Sequence, residues 1–312
     1  MAPGTRQLSD ADLDEVLRFA KDLAKRAGEL MKRGSTAILS TTGDIAQKAS
    51  AVDLVTEWDV KVEQLIRAEI DKAWPGFEFI GEESFSAGTD GRPRLTEEPT
   101  FCVDPIDGTT NFVHGFPFAC VSIGLIYRKE PVVGVIYCPF LDQLYAARRG
   151  GGAWLNESQR LPLTPPRPLP SLALALVGVE WGSARAGKAM KAKLASFREL
   201  AAQEGKMVHG LRSIGSAAMN YALVASGGLD LYWEIGCWPW DISAGVVIAQ
   251  EAGAFVSGAA ASPHDGVVDD TVLNGRKYIV VRAIADRPNE TGRECQKRLI
   301  KDFYSAVQEY EP

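Results

Sequence analysis

Apolar residues recur at helical spacing through the first part of the chain: Leu13, Val16, Leu17, Ala20, Leu23, Ala24, Ala27, Leu30 and Met31. This stripe predicts a long amphipathic helix, and Ser9 with Asp12 three residues later marks its start. A polar stretch from Ser40 to Ser50 follows, and Val62, Leu65, Ile66 and Ile70 predict a second helix. The period then changes. Phe77-Glu78-Phe79-Ile80 and Thr100-Phe101-Cys102 read as short strands on either side of a polar loop, Ser86 to Pro99. Phe118 to Tyr127 and Pro131 to Tyr137 are apolar, β-branched runs joined by Arg128-Lys129-Glu130, a hairpin signal. With Gln143 to Ala147 and the turn at Gly150-Gly151-Gly152, they predict an antiparallel meander.

Five prolines between Leu161 and Pro170 interrupt this pattern, which places a boundary between an N-terminal α+β part, 1–165, and a C-terminal α/β part, 166–312. Beyond it, Leu172 to Val179 reads as a strand covered on both faces. A helix from Lys188 to Ala202 and a strand from Lys206 to Leu211 come next. Ile242, Val246, Val247, Ala249 and Ala252 predict a further helix, opened by Asp241. Tyr278 to Val281 closes the strands, and Arg293 to Tyr310 reads as a charged amphipathic helix. Strands alternating with helices in this half imply an α/β layer.

Composition narrows the function. With 312 residues, 46% hydrophobic and 24% charged, the chain can bury a large core. A net charge of -6 argues against nucleic acid or an anionic membrane surface as the main partner. Five cysteines, odd in number and set in apolar runs, read as reduced residues, and three histidines are too few for a histidine-rich metal centre. No signal-type leader or membrane-length run is present, so the expectation is a soluble, cytoplasmic protein with no membrane partner.

The chemistry is concentrated in acids beside turn formers. In Asp104-Pro105-Ile106-Asp107-Gly108-Thr109, proline and glycine redirect the chain at the end of a strand, so that two carboxylates and the Ile106 carbonyl can face one small volume. Such hard oxygen ligands beside a helix start suit Mg²⁺ and phosphate, although Asp-Pro and Asp-Gly are also ordinary turn formers. Glu82 closes the preceding strand, and it meets Asp104 and Asp107 if the two strands are neighbours. Asp53 reads either as a helix cap or as a buried functional acid, and Asp241, between Trp240 and Ile242, carries the same two readings.

Gly81-Glu82-Glu83-Ser84, Asp104-Pro105-Ile106-Asp107-Gly108-Thr109 and Trp240-Asp241-Ile242-Ser243-Ala244-Gly245 resemble the three signatures of the inositol monophosphatase family, in their usual order. Val52-Asp53-Leu54-Val55-Thr56 and Gly215-Ser216-Ala217-Ala218 are similar to its secondary motifs. The resemblance implies an αβαβα sandwich and a Mg²⁺-dependent, lithium-sensitive phosphomonoesterase that works as a homodimer. It makes Glu82, Asp104 and the Ile106 carbonyl ligands of one Mg²⁺, and Asp104, Asp107 and Asp241 ligands of a second, with a weaker third ion near Glu82. Thr109 and Asp53 match the pair that orients the attacking water, helped by Glu82. Gly108 and Thr109 match phosphate contacts, and Gly215, Ser216, Ala217, Glu234 and Asp241 match positions lining the substrate's polyol.

The substrate follows less directly. Glu234 can accept hydrogen bonds from two hydroxyls, which favours a polyol phosphate such as inositol monophosphate, while Trp238 and Pro239 add apolar bulk expected at the pocket rim. Relatives act on fructose bisphosphate, adenosine bisphosphates or histidinol phosphate, or belong to fungal quinate pathways. No basic cluster beyond Arg212 is evident for a second phosphate. A catalytically silent homologue would have lost a ligand, and none is lost.

Overall fold

A computed structural model describes residues 7–40, 51–86 and 91–312, with side chains described for all of these but 51–56. Helix α1 spans Asp10–Ser40 and starts as its sequence implies. The Ser9 backbone N–H and hydroxyl donate to Asp12 at 2.8 and 2.6 Å, and the Asp12 N–H donates back to the Ser9 hydroxyl. Its buried stripe, Leu13, Val16, Ala20, Leu23, Ala24, Ala27 and Met31, lies with α2 (Ala51–Ala73) against one face of a seven-stranded sheet.

That sheet runs in chain order: β1 (Glu78–Gly81), β2 (Thr100–Asp107), β3 (Cys120–Tyr127), β4 (Glu130–Cys138), β5 (Gln143–Arg148), β6 (Ala153–Leu155) and β7 (Gln159–Arg160). Only β1 and β2 pair in parallel; the rest is the expected meander. Two short helices interrupt it, α3 (Glu82–Ser86) and α4 (Thr109–His114).

Strand alternation assigns each face of the sheet to a different core. On β3, Val121, Ile123 and Leu125 pack toward α1 and α2, whereas Cys120 and Ile126 face the interior of the molecule. Filling that interior are α6 (Ala217–Ser226) and α7 (Pro239–Glu251), which are buried almost all round because sheets cover them on both sides. Gly124 and Gly134 let α7 lie directly on the strands: a Cβ on Gly134 would run into the Ala244 carbonyl.

The second sheet has the order β11-β12-β10-β8-β9, with β8 at Leu176–Val179, β9 at Gly210–Arg212, β10 at Leu231–Ile235, β11 at Phe255–Ser257 and β12 at Lys277–Val281. Its inner face gives Tyr232, Tyr278 and Val280 to the middle core. Its outer face gives Val177, Leu231, Trp233, Ile279 and Val281 to a third core, closed by Leu200 of α5 (Gly187–Ala201) and Leu299 and Phe303 of α9 (Gly292–Tyr304). Helix α8, Asp270–Gly275, precedes β12. The layers are therefore αβαβα, as the resemblance implies.

Three sequence expectations shift. Leu172–Leu174 is a 3₁₀ turn with Leu174 exposed, so the apolar run is strand only from Leu176. Lys206 and Val208 donate their backbone N–H groups to Glu199 and Leu200 of α5, leaving strand pairing to begin at Gly210. The last helix ends at Tyr304, because the Gln308 N–H goes instead to the Ser196 hydroxyl and Tyr310 reaches the Ile235 carbonyl.

Candidate active site

Glu82 and Asp104 meet because β1 and β2 are parallel neighbours in a register that pairs Gly81 with Val103. Glu82 itself opens α3 rather than ending a strand. The buried Glu63 of α2 accepts the N–H groups of Glu83 and Ser84, both at 2.8 Å, and so satisfies the start of this short helix.

Asp107 joins Asp104 through a bulge. Asp104 pairs with Ser122 and Asp107 with Cys120, so two residues on β2, Pro105 and Ile106, stand opposite one on β3, Val121. The extra residue reverses the alternation: Ile106 turns its side chain into the α1–α2 core while Asp107 faces the interior beside Asp104. The Ile106 N–H donates to Asp104 at 3.0 Å, and its carbonyl accepts the Thr109 hydroxyl at 3.1 Å. Gly108, at φ 85°, makes the turn into α4; a Cβ there would stand 2.7 Å from the Phe118 carbonyl oxygen.

The third acid comes from α7. Asp241 is not the N-cap; Trp238 is, and Asp241, three residues in, accepts the Trp238 N–H at 2.6 Å. One oxygen each of Asp104, Asp107 and Asp241 lies within 4.8 Å of the others. Burial, followed by the charge of Asp107, pushes the Asp241 carboxyl up to about 8. Burial, then Asp241 and Glu83, pushes Glu82 up to about 8, and Asp104 is driven up by burial, Glu82 and Asp107. No Lys or Arg forms an ion pair with these four acids among the described residues. Oxygen donors of this kind, buried and mutually repelling, fit a hard divalent cation.

Two further acids enter that sequence reasoning missed. Asp59 of α2 has a buried, unpartnered carboxylate oxygen and is pushed up to about 8 by burial, then Glu83 and Glu82. Its signal was present: Asp59, Val62, Ile66 and Ile70 lie on one apolar helix face. Glu180 accepts the N–H groups of Ile214 and Gly215 and the Asn220 amide at 2.8, 3.0 and 2.8 Å, holding the loop that carries Gly215, at φ 74°.

A cavity of ≈ 490 Å³ opens beside the acids, lined among others by Asp107, Gly215, Ser216, Ala217, Glu234 and Asp241. Ser216 caps α6, accepting the Met219 N–H at 3.1 Å, and its hydroxyl donates to Asp107. Asp107 also accepts the Ala218 N–H at 2.8 Å. Glu234, on the inner face of β10, receives the Tyr232 hydroxyl and is pushed up to about 7 by burial, with Glu180 adding to it. Asp53 lies within α2, which begins at Ala51, so it does not cap that helix; its side chain is outside the described residues.

Trp238 and Pro239 do not form the cavity wall expected of them. Trp238 stacks on Trp240 with ring centroids 5.3 Å apart and is covered by the Arg276 guanidinium, and Pro239 is buried. Arg212, the one cation picked from the sequence, is exposed and turned onto the Leu211 carbonyl. The cations at the cavity are instead Arg185 and Lys193, from the segment before α5 and from α5 itself, and Arg276, which precedes β12.

The chain has relatives among known proteins. The chain is similar to the quinic acid degradation cluster protein x of Neurospora crassa, at 40% identity over 97% of this chain and 96% of the relative. It is 38% identical to inositol monophosphatase 1 of Saccharomyces cerevisiae, over 95% of this chain and 97% of that one. The solved inositol monophosphatase from Anabaena (Nostoc) sp. PCC 7120 superposes with a TM-score of 0.70 at 26% identity, covering 95% of this chain and 97% of its own. The inositol monophosphatase family model matches residues 12–308, and the chain belongs to that family of phosphatases.

Proposed function

We propose that this chain hydrolyses the phosphate monoester of a small polyol, inositol monophosphate first among them, in a Mg²⁺-dependent and lithium-sensitive reaction. The observation that carries the reading is the meeting of Asp104, Asp107 and Asp241 within 4.8 Å, with Glu82 beside them, at the end of a cavity fitted with Glu234. Glu82, Asp104 and the Ile106 carbonyl would hold one ion, Asp104, Asp107 and Asp241 a second, and Glu82 would border a third. Bound there, Mg²⁺ supplies positive charge to offset the phosphate oxygens and acidifies a water for in-line attack.

The protein's own part is positioning, which phosphate ester hydrolysis chiefly requires. Thr109, its hydroxyl anchored on the Ile106 carbonyl, would accept a hydrogen bond from the attacking water together with Asp53, and Glu82 would assist. The backbone around Gly108 and Thr109 would donate to the phosphate at the start of α4. Glu234 would accept hydroxyls of the polyol, with Gly215 and Ala217 as its apolar floor. Ser216 contributes by holding Asp107, since its hydroxyl is already engaged there.

The two halves, 1–165 and 166–312, would each supply part of this site, and we propose a cytoplasmic homodimer; light scattering of the purified protein tests the assembly. No described helix is long and apolar enough to cross a membrane. The relative named for a quinic acid degradation cluster favours a second reading, a fungal quinate-pathway homologue with a different small phosphate as substrate. Phosphate release measured over inositol, sugar, nucleotide and histidinol phosphates, with and without Mg²⁺ and Li⁺, separates these. Inositol monophosphate turnover that needs Mg²⁺ and falls with Li⁺ supports the first reading; Mg²⁺-independent release contradicts it.

A further inference from the structure

Part of the cavity wall is cationic, with the charge of Glu234 acting on Lys193 and that of Asp241 on Arg276. Arg185, Lys193 and Arg276 all line it, and none is in an ion pair among the described residues. Lys193 is buried, and its ammonium donates to the Trp181 and Ala184 carbonyls, which leaves one N–H free. The Arg276 guanidinium lies 3.7 Å over the Trp238 ring and donates to the Gly236 carbonyl, while its Nε is buried without a partner. A guanidinium held flat on an aromatic face is preorganised to receive an oxyanion at its edge.

Of the cavity's acids, Glu180 is engaged by three N–H donors and Asp107 and Asp241 lie in the acid cluster, while Glu234 accepts the Tyr232 hydroxyl on one oxygen and acts on Lys193 by its charge without forming an ion pair. Gly182 keeps the opening clear, since its absent Cβ would stand 3.4 Å from Lys193 Nζ and 3.8 Å from a Glu234 carboxylate oxygen. Tyr310 and Pro312 of the C-terminal tail complete the wall. The tail is fixed by the Tyr310 hydroxyl on the Ile235 carbonyl at 3.1 Å and by the Glu311–Lys277 ion pair at 2.6 Å. Tyr310 also places its ring 5.4 Å from Lys193 Nζ.

We infer that this wall is an anion subsite: the substrate carries, besides the phosphate that is cleaved, a second anionic oxygen group, carboxylate or phosphate, bound by Lys193 and Arg276. The inference rests on the polyol phosphate reading and moves the preferred substrate within it, from inositol monophosphate, whose ring otherwise bears only neutral hydroxyls, to a polyol phosphate with a second anionic group. Lys193 is buried and Arg276 half-buried, and neither forms an ion pair among the described residues; a ligand oxyanion offsets the cost of holding such cations away from water, where a neutral hydroxyl does not.

The test compares glucitol 6-phosphate, which is a neutral polyol beyond its ester, with gluconate 6-phosphate and fructose 1,6-bisphosphate, using p-nitrophenyl phosphate as a reference. Wild type is expected to prefer one of the doubly anionic substrates over glucitol 6-phosphate by about tenfold or more in kcat/KM, the size of one charge-assisted hydrogen bond. Which of the two is preferred identifies the anionic group. Lys193→Met and Arg276→Met should bring that ratio near one through KM, and Lys193→Arg and Arg276→Lys should retain part of it. A purely structural role would lower all substrates together and leave the ratio unchanged. Calorimetric binding of the same ligands provides a readout independent of turnover. If p-nitrophenyl phosphate is hydrolysed but wild type shows no preference, the subsite is overturned and the phosphatase reading stands. If nothing is hydrolysed, yet the doubly anionic ligands bind more tightly and lose that advantage in Lys193→Met and Arg276→Met, the subsite stands and the hydrolytic reading falls.

Discussion

Ala218 donates its backbone N–H to the Asp107 carboxylate at 2.8 Å, joining the end of a sheet strand to the first turn of a helix 111 residues away. The Ser216 hydroxyl reinforces the joint, donating to the same oxygen while capping the helix. Ser216→Ala removes both contacts. It should destabilise the protein by about 2–4 kcal/mol, the sum of a lost cap and a lost hydrogen bond to a buried carboxylate, and weaken Mg²⁺ binding as Asp107 loosens. Urea unfolding and a Mg²⁺ titration check the two effects separately.

The acid cluster opposes folding when it is empty, because four carboxylates are buried within reach of one another's charge. Asp104→Asn should therefore unfold at or above the wild-type temperature without metal, yet lose Mg²⁺-dependent phosphate release. Thermal scans with EDTA and with Mg²⁺ should show a metal-induced rise in the wild type that is largely absent from the variant. Full turnover by Asp104→Asn would contradict the proposed metal role.

Glu234 faces the cavity from β10, at a point where it can accept polyol hydroxyls. Glu234→Gln should reduce kcat/KM for inositol monophosphate by about tenfold, one charged hydrogen bond, and p-nitrophenyl phosphate far less. Equal losses on both substrates would remove Glu234 from selectivity.

Glu157 bridges Lys21 and Lys25 of α1 at 2.5 and 2.8 Å, which holds its carboxyl at about 2 against an ordinary value of 4.5. A depressed carboxylate stabilises the fold above its unfolded pKa, and that contribution is lost as pH falls from 4.5 toward 2. Glu157 is 44% exposed, so screening limits the contribution to below about 1 kcal/mol. The stability difference between wild type and Glu157→Gln should be constant above pH 5 and close below it, as followed by urea melts across that range.

Gly134→Ala would drive a methyl into the Ala244 carbonyl of α7, where backbone meets backbone and neither side chain can move aside. A loss of about 2–4 kcal/mol is expected from chemical denaturation, since overpacking of this kind shifts the helix itself.

The parts of this protein that were legible in its sequence are those with a local signature. Asp104, Asp107 and Glu82 stand beside proline, glycine or a strand end, and α1 carries a stripe and a capping box. What escaped was set by distant packing. Asp59, Glu63 and Glu180 look like ordinary acids on helices or strand ends until the chain folds around them. Arg185 and Lys193 belong to a local basic run, Arg185, Lys188, Lys191 and Lys193, whose sequence does not tell which members turn inward, and Arg276 joins them only through the fold. Trp238 looked like a rim residue, and only the stacking of Arg276 on its ring gives it a different role. The apolar run from Leu172 misled for a related reason: whether such a run becomes strand or turn depends on which backbone partners remain free.

Anomalous diffraction from crystals grown with Mn²⁺ in place of Mg²⁺ tests the central claim most directly. The account predicts a strong peak in contact with carboxylate oxygens of Asp104, Asp107 and Asp241, and a second shared by Glu82, Asp104 and the Ile106 carbonyl. Saturating Mn²⁺ with no density among these acids would contradict it.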